Sequence, residues 1–284
     1  MNSKSPEYVG VLFLYPYESG YFCWIMKKQL TGLLVWMAAC SFSYAQVHIS
    51  KLIVKSNQKY LFDQTDIVVA DTLILEDSAT IVLNPLKREN FLHTKVLIVG
   101  KHCSIIGSGT HGKKGRTGRP GDSPIGPCKS GGNGTPGTRG LDGTAGINLF
   151  LYLDQVTMKE SLKIDLHGGD GGEGGMGGEG GSGTSGTVHC NGGSGGFGGA
   201  GGNGGNGGEG GTLTIQCPAG LNAMLNKNLS LKIQGGRFGK GGRGGYPGAA
   251  GSGPPKRNGK LGVPGHEGTD GQLGKYGKFT IMQN

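Results

Sequence analysis

A chain of 284 residues allows one or two domains, but 62 glycines and a hydrophobic fraction of 35% leave too little apolar mass for one conventional core. The glycines keep a triplet phase, which argues against plain disorder. The net charge of +9 is spread along the chain with no run of aromatic residues interleaved among the basic ones, so attraction to surface glycans or cell-envelope components is expected and specific nucleic-acid binding is not.

In chain order, residues 1–25 precede a secretory leader and play no part in it, so the true start is expected at Met26. Lys27 and Lys28 form a charged region, residues 30–39 a short apolar region, and Ser43-Tyr44-Ala45 a small-residue cleavage site before Gln46. The apolar run is too short for a stable span, so the mature chain is expected to lack a transmembrane segment. Met37-Ala38-Ala39-Cys40 offers a lipobox with Cys40 lipidated as the alternative. Both readings place the protein outside the cytoplasm, as a secreted, extracellular or periplasmic chain.

Residues 46–106 are predicted to be β-rich. Short runs at 47–54, 67–75, 79–83, 95–99 and 104–106 are heavy in Ile, Leu and Val, and turn-formers such as Asn57-Gln58, Glu76-Asp77 and Gly100-Lys101 separate them. Such even spacing fits the coils of a β-helix, with a small β-sandwich as the alternative.

Residues 107–284 alternate glycine triplets with short apolar runs. A first hairpin leaves from Gly112, turns through 122–133 and returns over 134–146. The second covers 168–211, where 26 of 44 residues are glycine and the pattern is Gly-Gly-X on both sides of a break at 184–191. The third leaves over 236–251, turns through 252–258 and returns over 259–277. Spacers of 21 and 23 residues, 147–167 and 212–234, each carry two apolar runs, and 278–282 closes as a strand.

A period of three matches polyproline II, in which each residue class lines one face of a rod. The expected fold class is therefore all-β plus polyproline II: a β-helix or solenoid base carrying three hairpins as a six-rod bundle, in two layers of three. A middle rod has neighbours on two faces and needs two glycines per triplet; the second hairpin alone has them throughout. Its acidic leg, with Asp170, Glu173 and Glu179, would lie between basic legs carrying Lys114 and Arg237.

Four cysteines follow the leader, and an even number in an exported chain predicts two disulfides. Cys128 and Cys190 lie in adjacent distal turns and form the favoured tip pair; Cys103 and Cys217 form the matching basal pair. Zinc held by Cys128, His189 and Cys190 is the alternative, although no ligand pair has finger-like spacing.

The Gly-X-X legs, the Gly-Gly-X middle pair and the distal cysteines resemble the glycine-rich polyproline-II bundles of certain antifreeze proteins and bacteriophage tail-tip adhesins. With the leader and β segment, the chain is similar to secreted collagen-like proteins of bacteria. The resemblance implies a non-enzymatic structural or adhesive surface protein. Ice binding and a collagen-like trimeric stalk are the alternatives it raises.

No catalytic residues, cofactor or metal site are expected, since the carboxylates of the acidic leg are about 9 Å apart. Asp71-Thr72-Leu73 and Asp77-Ser78-Ala79 fit a short bacterial O-glycosylation pattern. Loops on a rigid scaffold carry recognition. The predicted contact residues are therefore in the distal turns: Ser123 and Lys129 in the first, Thr184, His189 and Asn191 in the second, Lys256 and Arg257 in the third. The protein is expected to be a monomer.

Overall fold

The computed structural model describes residues 47–283 apart from Gln64, so the leader, the residues before it and Cys40 lie outside the described residues. Gln46–Asn284 forms one compact unit. Its strands are β1 (Val47–Val54), β2 (Lys59–Leu61), β3 (Ile67–Leu75), β4 (Thr80–Val82), β5 (Glu89–Val99) and β6 (Ser104–Ile106), followed by β7 (Asn148–Met158), β8 (Leu162–Asp165), β9 (Leu213–Cys217), β10 (Leu229–Lys232) and β11 (Phe279–Gln283). A 3-10 turn at Ala219–Leu221 leads into helix α1 (Asn222–Asn228).

Odd-numbered strands form one sheet in the order β1-β3-β5-β7-β9-β11, and even-numbered strands form the other, β10-β8-β6-β4-β2. Every pairing within these two sheets is parallel. This corrects the expected fold class: the regular structure of the described residues is a two-sheet parallel, α/β-like arrangement of eleven strands with one short helix, and not an all-β polyproline bundle. The apolar runs decide it, because each stacks in register on the next and together they supply the hydrophobic core. Helix α1 was hidden among strand-like spacers; its Ala223, Met224, Leu225 and Lys227 are good helix formers, and Leu225 is buried.

Register explains the core. Leu52, Leu73 and Leu97 are successive partners in the six-stranded sheet, as are Val54, Leu75 and Val99. Ile81, Ile105 and Ile164 stack in the other. The corners between the sheets repeat as well: Asn57, Ser78 and His102 all adopt left-handed backbone, with φ of 61°, 61° and 53°. β5 pairs β7 and β6 pairs β8, so the first β segment and the later spacers share both sheets.

Between β6 and β7, β8 and β9, and β10 and β11 the chain makes three glycine-rich excursions without regular strand or helix. The outgoing legs bond to one another, as in Gly112 N–H to Asp170 O at 2.7 Å and Gly171 N–H to Arg237 O at 2.8 Å. The returning legs do likewise, with Gly134 N–H to Phe197 O and Gly198 N–H to Val263 O, each 2.8 Å. A zigzag joins the two layers: Thr138 donates to Arg116 O, Gly175 to Thr138 O, Gly202 to Gly175 O, Gly242 to Gly202 O and Gly268 to Gly242 O, all at 2.8–2.9 Å.

Amides of the non-glycine positions are met by short side chains from the neighbouring leg. Asn133 Oδ1 accepts from Phe197 N–H at 2.8 Å, Asp142 Oδ1 from Asn206 N–H at 2.7 Å, and Asp170 Oδ1 from Arg237 N–H at 2.7 Å. Ion pairs join the outgoing legs, Lys114 to Glu173 at 2.8 Å and Arg237 to Asp170 at 3.9 Å, but the side chains are exposed enough that solvent screens both pairs and they select register more than they supply stability.

Candidate functional site

The three distal turns meet at one end of the glycine-rich legs. A disulfide joins Cys128 of the first turn to Cys190 of the second, with Cα atoms 6.0 Å apart. Beside it Cys128 N–H donates to Ser185 O at 2.9 Å, and Lys129 N–H to Thr184 Oγ1 at 2.9 Å. Within the second turn Thr187 and Cys190 exchange backbone bonds of 3.0 and 3.2 Å, which project Val188 and His189 from its tip.

The third turn is tied to the second by Arg257, whose Nε donates to Asn191 Oδ1 at 2.7 Å and whose Nη1 donates to Val188 O at 3.2 Å. Gly186 N–H donates to Ser252 O at 2.6 Å. Arg257 N–H closes the turn on Pro254 O at 2.8 Å, with Pro255 and Lys256 at its centre. Lys256 has φ of 68°, the left-handed value a type II turn requires at that position, where glycine is preferred. Pro127-Cys128 repeats the arrangement in the first turn, with Cys128 at φ of 63°.

The seven predicted contact residues thus divide. Ser123 accepts from Ser182 N–H at 2.9 Å, so its hydroxyl is a link between legs. Thr184, Asn191 and Arg257 hold the turns together. The side chains of Lys129, His189 and Lys256 are exposed and have no hydrogen bond or ion pair among the described residues. Two residues that sequence reasoning missed stand beside them: Ile125 is 91% exposed and Val188 77%. An isolated apolar residue in a loop carries no periodic signal, so only its position at a shared tip reveals it.

Two cysteine expectations are corrected. Cys103 and Cys217 are free, buried thiols, because Cys103 leads into β6 of one sheet while Cys217 ends β9 of the other. Cys103 Sγ donates to Glu76 O at 3.1 Å, and burial pushes both thiols up from their ordinary pKa. The zinc alternative fails because Cys128 and Cys190 are bonded to each other; among the described residues no group of three His, Cys, Asp or Glu could hold a metal.

At the opposite end, His167 Nδ1 lies 2.5 Å from Asp165 Oδ1, and Lys232 Nζ is 3.5 Å from Asp165 Oδ2 and 3.1 Å from His167 Nδ1. Burial pushes the Asp165 carboxyl up, but hydrogen bonds from His167 and the charges of His167 and Lys232 outweigh it and hold the group below the usual carboxylate range. This cluster fastens the second excursion to β8 and β10.

No protein-family model matches the chain, and no curated protein matches it. Among solved structures it is similar to a springtail antifreeze protein from Granisotoma rainieri, a bundle of nine polyproline type II helices whose crystal waters match the ice lattice. Identity is 25%, over 62% of this chain and 95% of that one, with a TM-score of 0.12. A score so low carries no argument about fold or activity. No helix among the described residues is long and apolar enough to cross a membrane, and a disulfide is present.

Proposed function

We propose that the protein is a non-enzymatic structural or adhesive module that acts outside the cytoplasm and binds surface glycans or cell-envelope components through its distal turns. The observation that carries this reading is the convergence of three turns on one cross-linked end, which leaves Lys129, His189, Lys256, Ile125 and Val188 projecting from a fixed frame. Fixing the backbone that carries those side chains before contact reduces the ordering cost of binding. The disulfide favours an oxidising compartment. Glycine amides that a collagen-like trimer would share between chains are bonded within this one, which supports a monomer.

The test is binding of the full chain to glycan arrays and envelope fractions, compared with a variant carrying Ile125→Ser, Lys129→Ala and Lys256→Ala. Loss of binding with an unchanged melting curve supports the reading. Undiminished binding of the variant to every fraction the wild type binds would sink the role of the turns.

A further inference from the structure

The base of the glycine-rich legs, at the far end from the distal turns, carries a second feature. Two concavities of about 290 and 300 Å3 lie where the legs join the sheets, and Arg88 lines both. Lys275 and Lys278 add two more cations to the second. Against these three cations, the lining residues include a single carboxylate, Glu209.

That carboxylate is held loosely. Glu209 lies 3.7 Å from Arg88 Nη2 and 3.9 Å from Lys275 Nζ, and all three side chains are more than half exposed. Pairs of this length and exposure are weak and screened by solvent, so an incoming anion competes for the cations at little cost. The remaining wall suits a hydroxylated ligand. Thr110 Oγ1 and Thr144 Oγ1 are 3.1 Å apart on the rim of the first concavity, and Tyr276, 75% exposed, presents its ring beside the second.

We infer that this paired groove is a binding site for an acidic oligosaccharide, one bearing carboxylate or sulfate groups, laid across Arg88. The cations take the anionic groups, the threonine hydroxyls take sugar hydroxyls, and the Tyr276 ring covers the apolar face of a pyranose. Guanidinium suits this position because it pairs with carboxylate or sulfate through two parallel bonds. The inference is independent of the distal turns, which lie at the other end of the legs.

The test is titration of the full-length oxidised protein with four probes: a galacturonate oligosaccharide, a heparin-derived oligosaccharide, a neutral malto-oligosaccharide and a single-stranded DNA oligonucleotide. Binding to one or both acidic sugars is expected, and which of them binds names the anionic group. Arg88→Ala should weaken it about tenfold, a change of about 1.4 kcal/mol. Lys278→Ala should weaken it in the same direction should Arg88→Ala fail to fold, and Glu209→Gln should tighten it by removing the competing carboxylate. Lys256→Ala, at the distal end, should leave it unchanged, which separates this site from the one proposed above. The inference is overturned if neither acidic sugar binds, if the neutral sugar binds equally well, if the DNA binds more tightly with the same dependence on Arg88, or if the Arg88 and Lys278 variants both bind as wild type does.

Discussion

Lys256 occupies a backbone position at which a side chain is a liability. Its φ of 68° costs an L-residue about 1–2 kcal/mol, whereas glycine there costs about 0.5–1 kcal/mol in extra chain entropy. Lys256→Gly is therefore expected to stabilise the fold by about 0.5–1 kcal/mol, measured by denaturant unfolding. The same variant should bind surface glycans or envelope fractions less well. Stability and binding moving in opposite directions marks a residue retained for contact; a variant that gains stability and keeps full binding would show that the lysine has no such role. A second prediction concerns Asp165. A carboxyl held below its usual pKa contributes stability above the unfolded value, about 3.9, and loses it as pH falls through the lower folded value. Asp165→Asn should therefore be less stable than wild type at neutral pH, and the gap should close as the solution is acidified below about pH 4. A gap that stays constant across that range would mean that Asp165 acts by packing and not by charge.

At the scale of single legs, hydrogen-bond partners dictate where glycine must stand. A Cβ at Gly175 would run into Arg116 O on one flank, and a Cβ at its neighbour Gly174 would run into Gly202 O on another, so the second outgoing leg needs both. The first outgoing leg needs only one per triplet: Gly115 faces Thr138 O, while Lys114 and Arg116 project outward. Gly175→Ala is expected to cost about 3 kcal/mol or more, since the obstacle is backbone and cannot swing aside. Gly220→Ala, with nothing within 4 Å of the added atom, should be near neutral. Thermal unfolding of the two variants checks the contrast, and equal effects would refute it. This leg-by-leg glycine demand was legible in the triplets, as were the turns that begin and end each leg. The boundaries of β1, β3 and β6 were legible too, because their apolar runs are compact. β5 and β7 extend beyond their apolar runs, since Glu89–Thr94 and Asp154–Met158 are largely polar and join the ladder through backbone bonds that carry no side-chain signal. β2 escaped notice because only three residues form it, and none is buried. The distal end could be placed from the cysteines, but the pairing of Arg257 with Asn191 and the groove around Arg88 could not. They depend on residues brought together across 66 and more than 100 positions of sequence.

The whole molecule combines a side-chain core with an extension that has almost none. Leucine, isoleucine and valine buried between the two sheets supply the hydrophobic stabilisation at one end, while the legs rely on backbone bonds that run through all six in series. Each such bond contributes about 0.5–1.5 kcal/mol net, and fixing a residue costs about 1–2 kcal/mol in backbone entropy, more for glycine. The legs are therefore marginal away from the sheets, and the distal end, farthest from the core, is where a covalent constraint matters most. The Cys128–Cys190 bond spans 62 positions, and closing a loop of that length in the unfolded chain is worth about 4 kcal/mol. Reduction should accordingly act from the tip inward. Amide exchange at Gly181, Gly192 and Gly251 is expected to accelerate first, while Ile81, Leu97 and Ile105 stay protected, and the global melting temperature should fall. Cys103 and Cys217, buried among those strands, should stay unlabelled by alkylating reagents in the reduced but still folded protein and become reactive only on full denaturation. If instead reduction released strands and legs together, with both thiols labelled at once, the sheets and the glycine-rich legs would be a single cooperative unit and the disulfide a constraint on the whole chain. Retention of tip protection after reduction would show that the series of backbone bonds is stable without it, because the bonds polarise one another along each zigzag.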